Sequence, residues 1–280
     1  MNRYLLLLTV FLSALFFIPK NSHKFSLKTI SAELPFNAEW EGNGELEDSI
    51  LEQTYRYLGG GGQSFAFLSE DGKYVIKFFK QYKFAIPLWR TYFPHEKKRV
   101  KMQNKRNIVF SAFKSSFDHL MQETGLIFIH LNATSHLKKT LKLYDHQNHF
   151  HLLDLDSLQF VVQKKADLAF DRIDALMKNH DVLGATRAID QLLTLPQKLT
   201  QKGFRNRDSN FRSNYGFVDS QAICFDVGRI VYSNEIKKKK NFNKDFLRMT
   251  QRFRNYLTHR HPELLPYFEN SVKDIYTTGD

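Results

Sequence analysis

The sequence predicts an α+β fold of two lobes, in which a β-rich half precedes a helical half. Short runs of β-forming residues dominate positions 51–166, whereas apolar residues recur at helical spacing from position 167 onward. The length of 280 residues and the hydrophobic content of 42% are enough to bury a substantial core. We therefore expect a β-rich N-terminal lobe with one helix over 51–166 and a helical C-terminal lobe over 167–280.

The first residues, 1–19, form a targeting segment. The run YLLLLTVFLSALFFI at 4–18 is apolar, and Pro19 ends it. Its length suits the core of a signal peptide and is slightly short for a membrane span, yet no small-x-small cleavage site follows it. The segment is therefore either a signal peptide or a membrane anchor in an N-terminal hydrophobic helix. Three lysines behind the run favour a membrane-associated protein with a cytoplasmic body, and secretion or export after cleavage is the alternative.

The segment 20–50 is expected to be a linker, because its second half is acidic and contains scattered glycines. A strand-like pattern begins after it. In SFAFLSEDGKYVIKFFK, residues 64–80, two runs of β-forming residues flank Asp71-Gly72, which is a strong hairpin signal. The four glycines at 59–62 would then open this hairpin rather than connect two domains.

The remaining elements follow from the spacing of apolar residues. Gly125 would end the helix of the first lobe, and Pro196 would kink or divide a helix of the second. The predicted helices lie within 95–125, 167–180, 185–203 and 243–275. The helix at 167–180 has Asp167 near its start, and the helix at 243–275 is interrupted near His261-Pro262. The predicted strands lie within 126–135, 139–157 (with a turn at 145–149), 158–166, 215–219 and 222–226.

Charge and cysteine content limit the function classes. A formal charge of +12 favours anionic partners such as phosphate, nucleic acid or an acidic membrane surface, although a solvated basic surface gives the same charge. The four lysines Lys237–Lys240 could bind such an anionic surface, or could form a solvated loop. Cys224 is the only cysteine, which excludes an internal disulfide and a thiolate zinc cluster. Its apolar neighbours predict a small buried side chain.

Two features of the first lobe suit the binding of phosphate. Glycines at 59–62 would let backbone N–H groups approach phosphate oxygens without a Cβ in the way, whereas a flexible turn is the ordinary interpretation. Lys77 lies within the hydrophobic strand YVIKFFK, where a lysine needs an anionic partner or an outlet to solvent. If Lys77 shares a face with Val75 and Phe79, it points toward the interior of the lobe.

Three polar residues of the second lobe suit a metal ion and an acceptor hydroxyl. Asp208 lies in the loop NRDSNFRSN, and Asn214 follows six residues later. Asp226 emerges from the apolar run AICF into a glycine turn, from which a carboxylate can bind a metal. Polar loops and turn-starting aspartates are the ordinary explanation of all three residues.

Taken in chain order, these motifs resemble those of the protein-kinase-like family over roughly residues 51–235. The stretch LGGGGQSFA resembles the kinase Gly-rich loop, VIK its lysine-bearing strand, NRDSNFRSN its catalytic loop and FDVG its Asp-Phe-Gly motif. The resemblance implies that Asp208 is the catalytic base or orients the acceptor hydroxyl. It implies Mg²⁺ binding by Asn214 and Asp226, and ATP binding by Gly59, Gly60, Gly61, Gly62, Ser64 and Lys77.

The chain also departs from the family pattern. Asn206 replaces the usual histidine, and Val227 replaces phenylalanine. Asn214 follows Asp208 by one residue more than is typical, so that either the loop bulges or Asn210 shares its task. No Ala-Pro-Glu motif or long activation segment follows the FDVG motif. No glutamate partner of the strand lysine is obvious among the candidates Glu96, Asp118 and Glu123.

These features indicate an abbreviated, atypical kinase fold. The leading hypothesis is an ATP- and Mg²⁺-dependent phosphotransferase with an unidentified acceptor, in which catalysis is mostly positioning and charge neutralisation. A membrane-tethered pseudokinase, acting as a binding or scaffold module, is the alternative. A third hypothesis is a basic module that binds anionic lipid or nucleic acid through 97–101 and 237–240. The expected partners are thus a nucleotide, a phospho-acceptor and, through the N-terminal segment, a membrane.

Overall fold

A computed structural model describes residues 24–42, 44, 46–84, 96–208, 210–233 and 239–277. In the last of these ranges, side chains are described only for residues 242–276. The predicted targeting segment 1–19 lies outside these residues, as do Lys237, Lys238 and the side chains of Lys239 and Lys240. Within the described ranges, every helix is too short or too polar to cross a bilayer.

The described chain is a mixed α+β structure with a large sheet and a helical part. Its strands are β1 (Thr54–Gly60), β2 (Ser64–Ser69), β3 (Tyr74–Phe79), β4 (Leu126–His130), β5 (Thr140–Tyr144), β6 (Phe150–Asp154), β7 (Phe160–Lys164), β8 (Asp167–Leu168), β9 (Phe204–Asn206), β10 (Tyr215–Val218), β11 (Gln221–Cys224) and β12 (Ile230–Tyr232). Its α-helices are α1 (Leu27–Ile30), α2 (Asp48–Leu51), α3 (Glu96–His119), α4 (Met121–Thr124), α5 (Ala169–Lys178), α6 (Val182–Gln201), α7 (Phe211–Asn214), α8 (Lys239–Arg260) and α9 (Leu265–Thr277).

A seven-stranded sheet in the order β4-β7-β3-β2-β1-β5-β6 forms the β-rich half. The hairpin predicted at Asp71-Gly72 is confirmed, since β2 and β3 pair antiparallel and Gly72 has a φ of 72°. The β5–β6 hairpin, with its predicted turn at 145–149, lies beside β1 because β5 pairs with β1 in parallel. This hairpin extends the sheet by two strands on the outer side of β1.

The alternation of side chains on β2 and β3 separates the two faces of the sheet. Phe65 pairs with Phe78, and both rings are fully buried in a phenylalanine-rich cluster on one face. Ala66 pairs with Lys77, and both side chains point to the other face. Lys77 therefore points toward the helical half rather than into the phenylalanine-rich cluster.

Described residues of the predicted linker pack against the sheet and α3. Phe25, Ile30 and Ile50 are buried in the phenylalanine-rich cluster. Trp40 is buried against Phe110 of α3, with ring centroids 5.0 Å apart in an edge-to-face arrangement. The sequence did not indicate this packing because these apolar residues are too widely spaced to produce a periodic pattern.

The helical half packs mainly around α6, whose buried face carries four leucines and an isoleucine. Pro196 lies within α6, which continues through it and is not divided. The interruption of the C-terminal helices near His261-Pro262 is confirmed by a 3₁₀ turn at Pro262–Leu264 between α8 and α9. Asp167 lies in β8, where it pairs with Lys165, two residues before α5 begins at Ala169.

Candidate functional site

A cavity of about 570 Å³ lies between the underside of the sheet and α5. Its walls are mainly apolar, and three groups of residues form them. The sheet contributes Leu58, Ala66, Val75 and Lys77; the connection from β7 to α5 contributes Gln163, Lys164, Lys165, Ala166, Asp167 and Leu168; the remaining walls are Asp171, Arg172 and Ala175 of α5, with Phe225. A cleft of this size, apolar with a few charged groups at its edge, suits a small organic ligand.

Lys77 connects the sheet to the predicted metal-binding motif at this cavity. Its Nζ donates a hydrogen bond to the carbonyl oxygen of Phe225 at 2.8 Å, across 148 positions of sequence. Burial lowers the pKa of the Lys77 ammonium, and the nearby Asp226 carboxylate opposes that shift. The predicted phosphate-binding lysine and the predicted metal-binding aspartate therefore lie in one electrostatic environment.

Asn214 links the FDVG motif to the Asp208 loop. Its backbone carbonyl accepts a hydrogen bond from the N–H of Phe225 at 3.0 Å, and its side-chain Nδ2 donates to the carbonyl of Asp208 at 2.6 Å. The amide oxygen accepts from Ser213 Oγ at 2.8 Å, and this oxygen has a second lone pair. The three predicted residues Asp208, Asn214 and Asp226 are thus brought into one group of adjoining segments.

The extra residue between Asp208 and Asn214 is accommodated by a helical turn. Helix α7 spans Phe211–Asn214, and the Asn210 side chain accepts from the N–H of Arg212 at its start. Asn210 therefore caps this turn, while Asn214 at its end contacts Asp208. Asp208 itself is partly exposed, and its Oδ2 lies 3.8 Å from Arg229.

Asn206, at the position where the kinase motif that the sequence resembles has histidine, lies at the centre of a buried polar group. Its Oδ1 accepts from the N–H of Asp208 at 2.9 Å, and its Nδ2 donates to Cys224 Sγ at 3.0 Å. The buried hydroxyl of Tyr215 interacts with both Asn206 and Cys224. Asn206 thus ties the loop of Asp208 to the strand that leads into Asp226. Cys224 is buried, as the sequence predicted, and serves as a polar partner there.

The glycine turn, residues 59–63, lies above the FDVG motif. Gly61 donates its N–H to the carbonyl of Ser64 at 3.0 Å, which closes the turn. Gln63 Nε2 donates to the carbonyl of Gly228 at 3.3 Å. A Cβ added at Gly59, Gly61 or Gly62 would meet no atom within 4 Å. Packing inside the chain therefore does not require these glycines, and the space beside them is open to a ligand.

The predicted metal ligands offer oxygen atoms. Asp226 supplies a carboxylate and Asn214 an amide oxygen, and Mg²⁺ prefers such hard ligands, with phosphate and water completing its shell. Among the described residues, no group of three or more His, Cys, Asp or Glu side chains could hold a metal ion. A dedicated protein cage is therefore absent from that part of the chain, while a site shared with a phosphate fits the two residues.

The three acidic candidates for a partner of Lys77 are engaged elsewhere. Glu96 lies 4.0 Å from Arg99, Asp118 pairs with Lys114 at 2.6 Å, and Glu123 pairs with Lys202 at 2.7 Å. In the described part of the chain, the polar contact of the Lys77 ammonium is instead the carbonyl of Phe225.

Sequence reasoning identified Lys77 but missed most of the cavity wall. The connection Gln163–Leu168 and the α5 residues Asp171, Arg172 and Ala175 carry no motif. The available signal was the change from strand to helical periodicity at Ala166, which marks where the chain passes from the sheet to the helices. The predicted glycines, Ser64, Asp208, Asn214 and Asp226 do not line the cavity itself and lie beyond its Lys77–Phe225 wall.

No protein-family model and no curated protein matches the chain. Among solved structures it is similar to WbdD in a co-crystal with the kinase inhibitor LY294002, with 15% identity, a TM-score of 0.41 and coverage of 78% of this chain and 45% of that chain. It is also similar to the bifunctional kinase-methyltransferase WbdD, with 16% identity, a TM-score of 0.38 and coverage of 75% and 43%. A further similar structure is the ROP18 kinase domain in complex with AMP-PNP and sucrose, with 12% identity, a TM-score of 0.36 and coverage of 63% and 51%.

The chain spans about half, or less, of the length of each of these proteins. Because every TM-score lies below 0.5, these similarities add nothing to the interpretation of the cavity, which depends on the contacts of this chain alone.

Proposed function

We propose that the chain is an ATP- and Mg²⁺-dependent phosphotransferase of atypical protein-kinase-like type. The observation that carries this proposal is the contact between Lys77 Nζ and the carbonyl of Phe225 at the wall of a large apolar cavity. This contact brings a lysine of the sheet beside Asp226, the residue suited to a metal. Phosphoryl transfer needs these two elements close together.

The apolar cavity would hold the nucleotide base. Leu58, Ala66, Val75 and Phe225 provide surfaces for a planar ring, and the β7–α5 connection provides charged residues at one edge. The phosphates would extend past Lys77 toward the glycine turn, where a ligand meets no Cβ. Lys77 would then neutralise phosphate charge at low cost, because its ammonium is already partly removed from water.

Asp226 and Asn214 would hold Mg²⁺, which when bound neutralises phosphate charge. The Nδ2 contact of Asn214 with the carbonyl of Asp208 fixes the amide, so that its oxygen is directed away from that carbonyl. Asp208 would accept the proton of the acceptor hydroxyl. The hydroxyl oxygen forms a bond to the γ-phosphorus, the bond to the β,γ-bridging oxygen breaks, and ADP leaves.

Transfer from γ-labelled ATP in the presence of Mg²⁺ tests this proposal, with label followed into water, into the protein and into hydroxyl acceptors. We expect turnover by the full chain that falls by about a thousandfold or more in Asp226→Ala, since the loss of a metal ligand removes charge stabilisation in the transition state. Asp219→Asn is the matched control, because Asp219 lies in the β10–β11 turn with a φ of 54°, which Asn tolerates. Equal turnover in the wild type and Asp226→Ala would contradict the proposal.

A pseudokinase is the second candidate, and one observation favours it. The three acidic candidates pair with other basic residues, which leaves Lys77 bonded to a carbonyl oxygen in the described structure. A protein of this kind would bind ATP without transferring phosphate. Nucleotide binding that is lost in Lys77→Met, combined with no transfer to water, protein or added acceptors, would select this candidate.

The acceptor is proposed only as a hydroxyl compound. Association with a membrane through 1–19, a cytoplasmic body and an anionic surface at Lys237–Lys240 also remain proposals, based on the sequence alone. A cytoplasmic location would give the protein access to ATP.

A further inference from the structure

Three successive carbonyl groups of the glycine turn accept hydrogen bonds from the segment that follows β3. The carbonyl of Gly61 accepts from Lys80 Nζ at 2.7 Å, and the carbonyl of Gly62 accepts from Lys83 Nζ. The carbonyl of Gln63 accepts from the backbone N–H of Lys80 at 2.8 Å. One short segment therefore fixes the orientation of three consecutive peptide groups in a run that glycine would otherwise leave flexible.

The Lys80 side chain approaches the turn from the side of the sheet opposite to the cavity. The ammonium of Lys80 lies 4.3 Å from the centroid of the Phe65 ring. Phe65 is buried in the phenylalanine-rich cluster, whereas its neighbour Ala66 lines the cavity on the other face. The Gly61 carbonyl, which accepts from Lys80 Nζ, therefore points away from the cavity.

The N–H group of Gly62, which belongs to the same peptide group, consequently points to the side of the sheet on which the cavity lies. A trans peptide group directs its N–H opposite to its carbonyl, and the described chain contains no cis peptide bond. The peptide groups whose carbonyls Lys80 and Lys83 hold carry the N–H groups of Gly62 and Gln63. Neither N–H has a hydrogen-bond partner among the described residues. Successive N–H groups without an internal partner can form a concavity suited to an anion.

We propose that Lys80 and Lys83 are positioning residues, which hold the glycine turn so that the N–H groups of Gly62 and Gln63 bind the phosphates of a nucleotide. This inference rests on the proposed nucleotide binding. The lysines act through the turn, because each already donates to one of its carbonyl groups. Fixing the turn before binding reduces the conformational entropy that the nucleotide would otherwise have to offset.

The proposal also explains an unusual buried cation. The Lys80 side chain is only 1% exposed, and in the described part of the chain it has no carboxylate partner. Burial, and secondarily the neighbouring Lys83 ammonium, lowers the pKa of Lys80. Keeping a cation there is unfavourable for folding alone, which indicates a role in shaping the turn.

The test compares ADP with adenosine, which lacks phosphate, by titration calorimetry on the full chain with Mg²⁺. Lys83→Met removes the bond to the Gly62 carbonyl at a partly exposed position and so preserves the fold. We expect its affinity for ADP to fall about tenfold while its affinity for adenosine stays within about twofold. Lys80→Met should show the same selective loss and is the second variant. Lys198→Met on α6, an exposed lysine of the helical half, is the matched control and should bind both ligands normally.

Lys83→Gln separates positioning from direct charge contact. Glutamine can still donate to the Gly62 carbonyl but has no charge, so we expect it to retain most of the ADP affinity that Lys83→Met loses. If Lys83→Gln loses as much as Lys83→Met, or if ADP and adenosine affinities fall together, the positioning role is overturned. If the wild type binds neither ligand, the proposed function itself fails. If the wild type binds ADP more tightly than adenosine and all variants do the same, only the role of the lysines fails.

Discussion

The two sides of the predicted phosphate region are built in opposite ways. In the glycine turn above it, an added Cβ at Gly59, Gly61 or Gly62 would contact nothing within 4 Å. In the segment 206–228 below it, an added Cβ at Gly216 would lie 2.2 Å from the backbone oxygen of Asp167. The turn leaves space beside its backbone, whereas in the lower segment the backbone at Gly216 packs directly against the backbone at Asp167.

The same contrast holds for polar groups. The N–H groups of Gly62 and Gln63 have no partner among the described residues, whereas Asn206 uses both ends of its amide within the lower segment. The turn thus keeps its polar groups for a ligand, and the lower segment uses its polar groups to hold Asp208 and Asp226 in place. Substitutions in the turn should therefore alter binding, and those in the lower segment should alter stability.

The largest effect is expected at Gly216, where β10 pairs with β8. Gly216→Ala places a methyl group against the rigid backbone at Asp167, and we expect a loss of about 3 kcal/mol in the free energy of unfolding. Gly59→Ala, which meets no neighbour, is the matched control and should change stability by less than about 1 kcal/mol. Urea denaturation of the two variants measures both values. Equal destabilisation by the two substitutions would contradict the difference in packing between the turn and the lower segment.

A smaller loss is expected for Asn206→Ala. The substitution leaves the N–H of Asp208 and the thiol of Cys224 without their amide partner in a buried site, which costs about 2 kcal/mol. Asn255→Ala, on the exposed face of α8, serves as the control and should stay within about 0.5 kcal/mol. Denaturation midpoints that coincide for the two variants would show that the buried polar group does not stabilise the segment.

The smallest effect concerns pH. Burial, and then the Asp226 carboxylate, raises the pKa of Cys224 to about 12. An exposed thiol in the unfolded chain has a pKa of about 8.5, so the unfolded state loses its proton first as pH rises. Stability should therefore fall by about 1 kcal/mol between about pH 8.5 and 9.5 through this group. Cys224→Ala lacks this dependence, and parallel stability curves for the variant and the wild type would contradict the prediction.

Local elements were predictable because their signals lie within short stretches of sequence. Asp71-Gly72 identified the β2–β3 hairpin, and Gly125, with a φ of 68°, follows α4 as a left-handed residue at the end of that helical region. The alternation around Lys77 correctly placed this lysine and Val75 on one face of the sheet. In each case the conformation depends on residues only a few positions apart.

Long-range features were not predictable in the same way. The parallel pairing of β1 with β5 joins strands that are far apart in the sequence. Trp40 packs on α3, and no periodic pattern in the sequence predicts this contact. The contact of Lys77 with the Phe225 carbonyl spans 148 positions and uses a backbone atom that any residue supplies. Only the order of the motifs suggested that these segments meet, and order gives neither distances nor partners.

The central claim is that Lys77 and the FDVG motif form one nucleotide site, and the most direct measurement is calorimetric titration of ATP with Mg²⁺. Lys77→Met keeps the volume of the side chain and removes its charge. We predict that the wild type binds ATP and that Lys77→Met binds it at least about tenfold more weakly, with an unchanged denaturation midpoint. A wild type that fails to bind ATP, or a Lys77→Met variant that binds it as tightly as the wild type, would contradict the account.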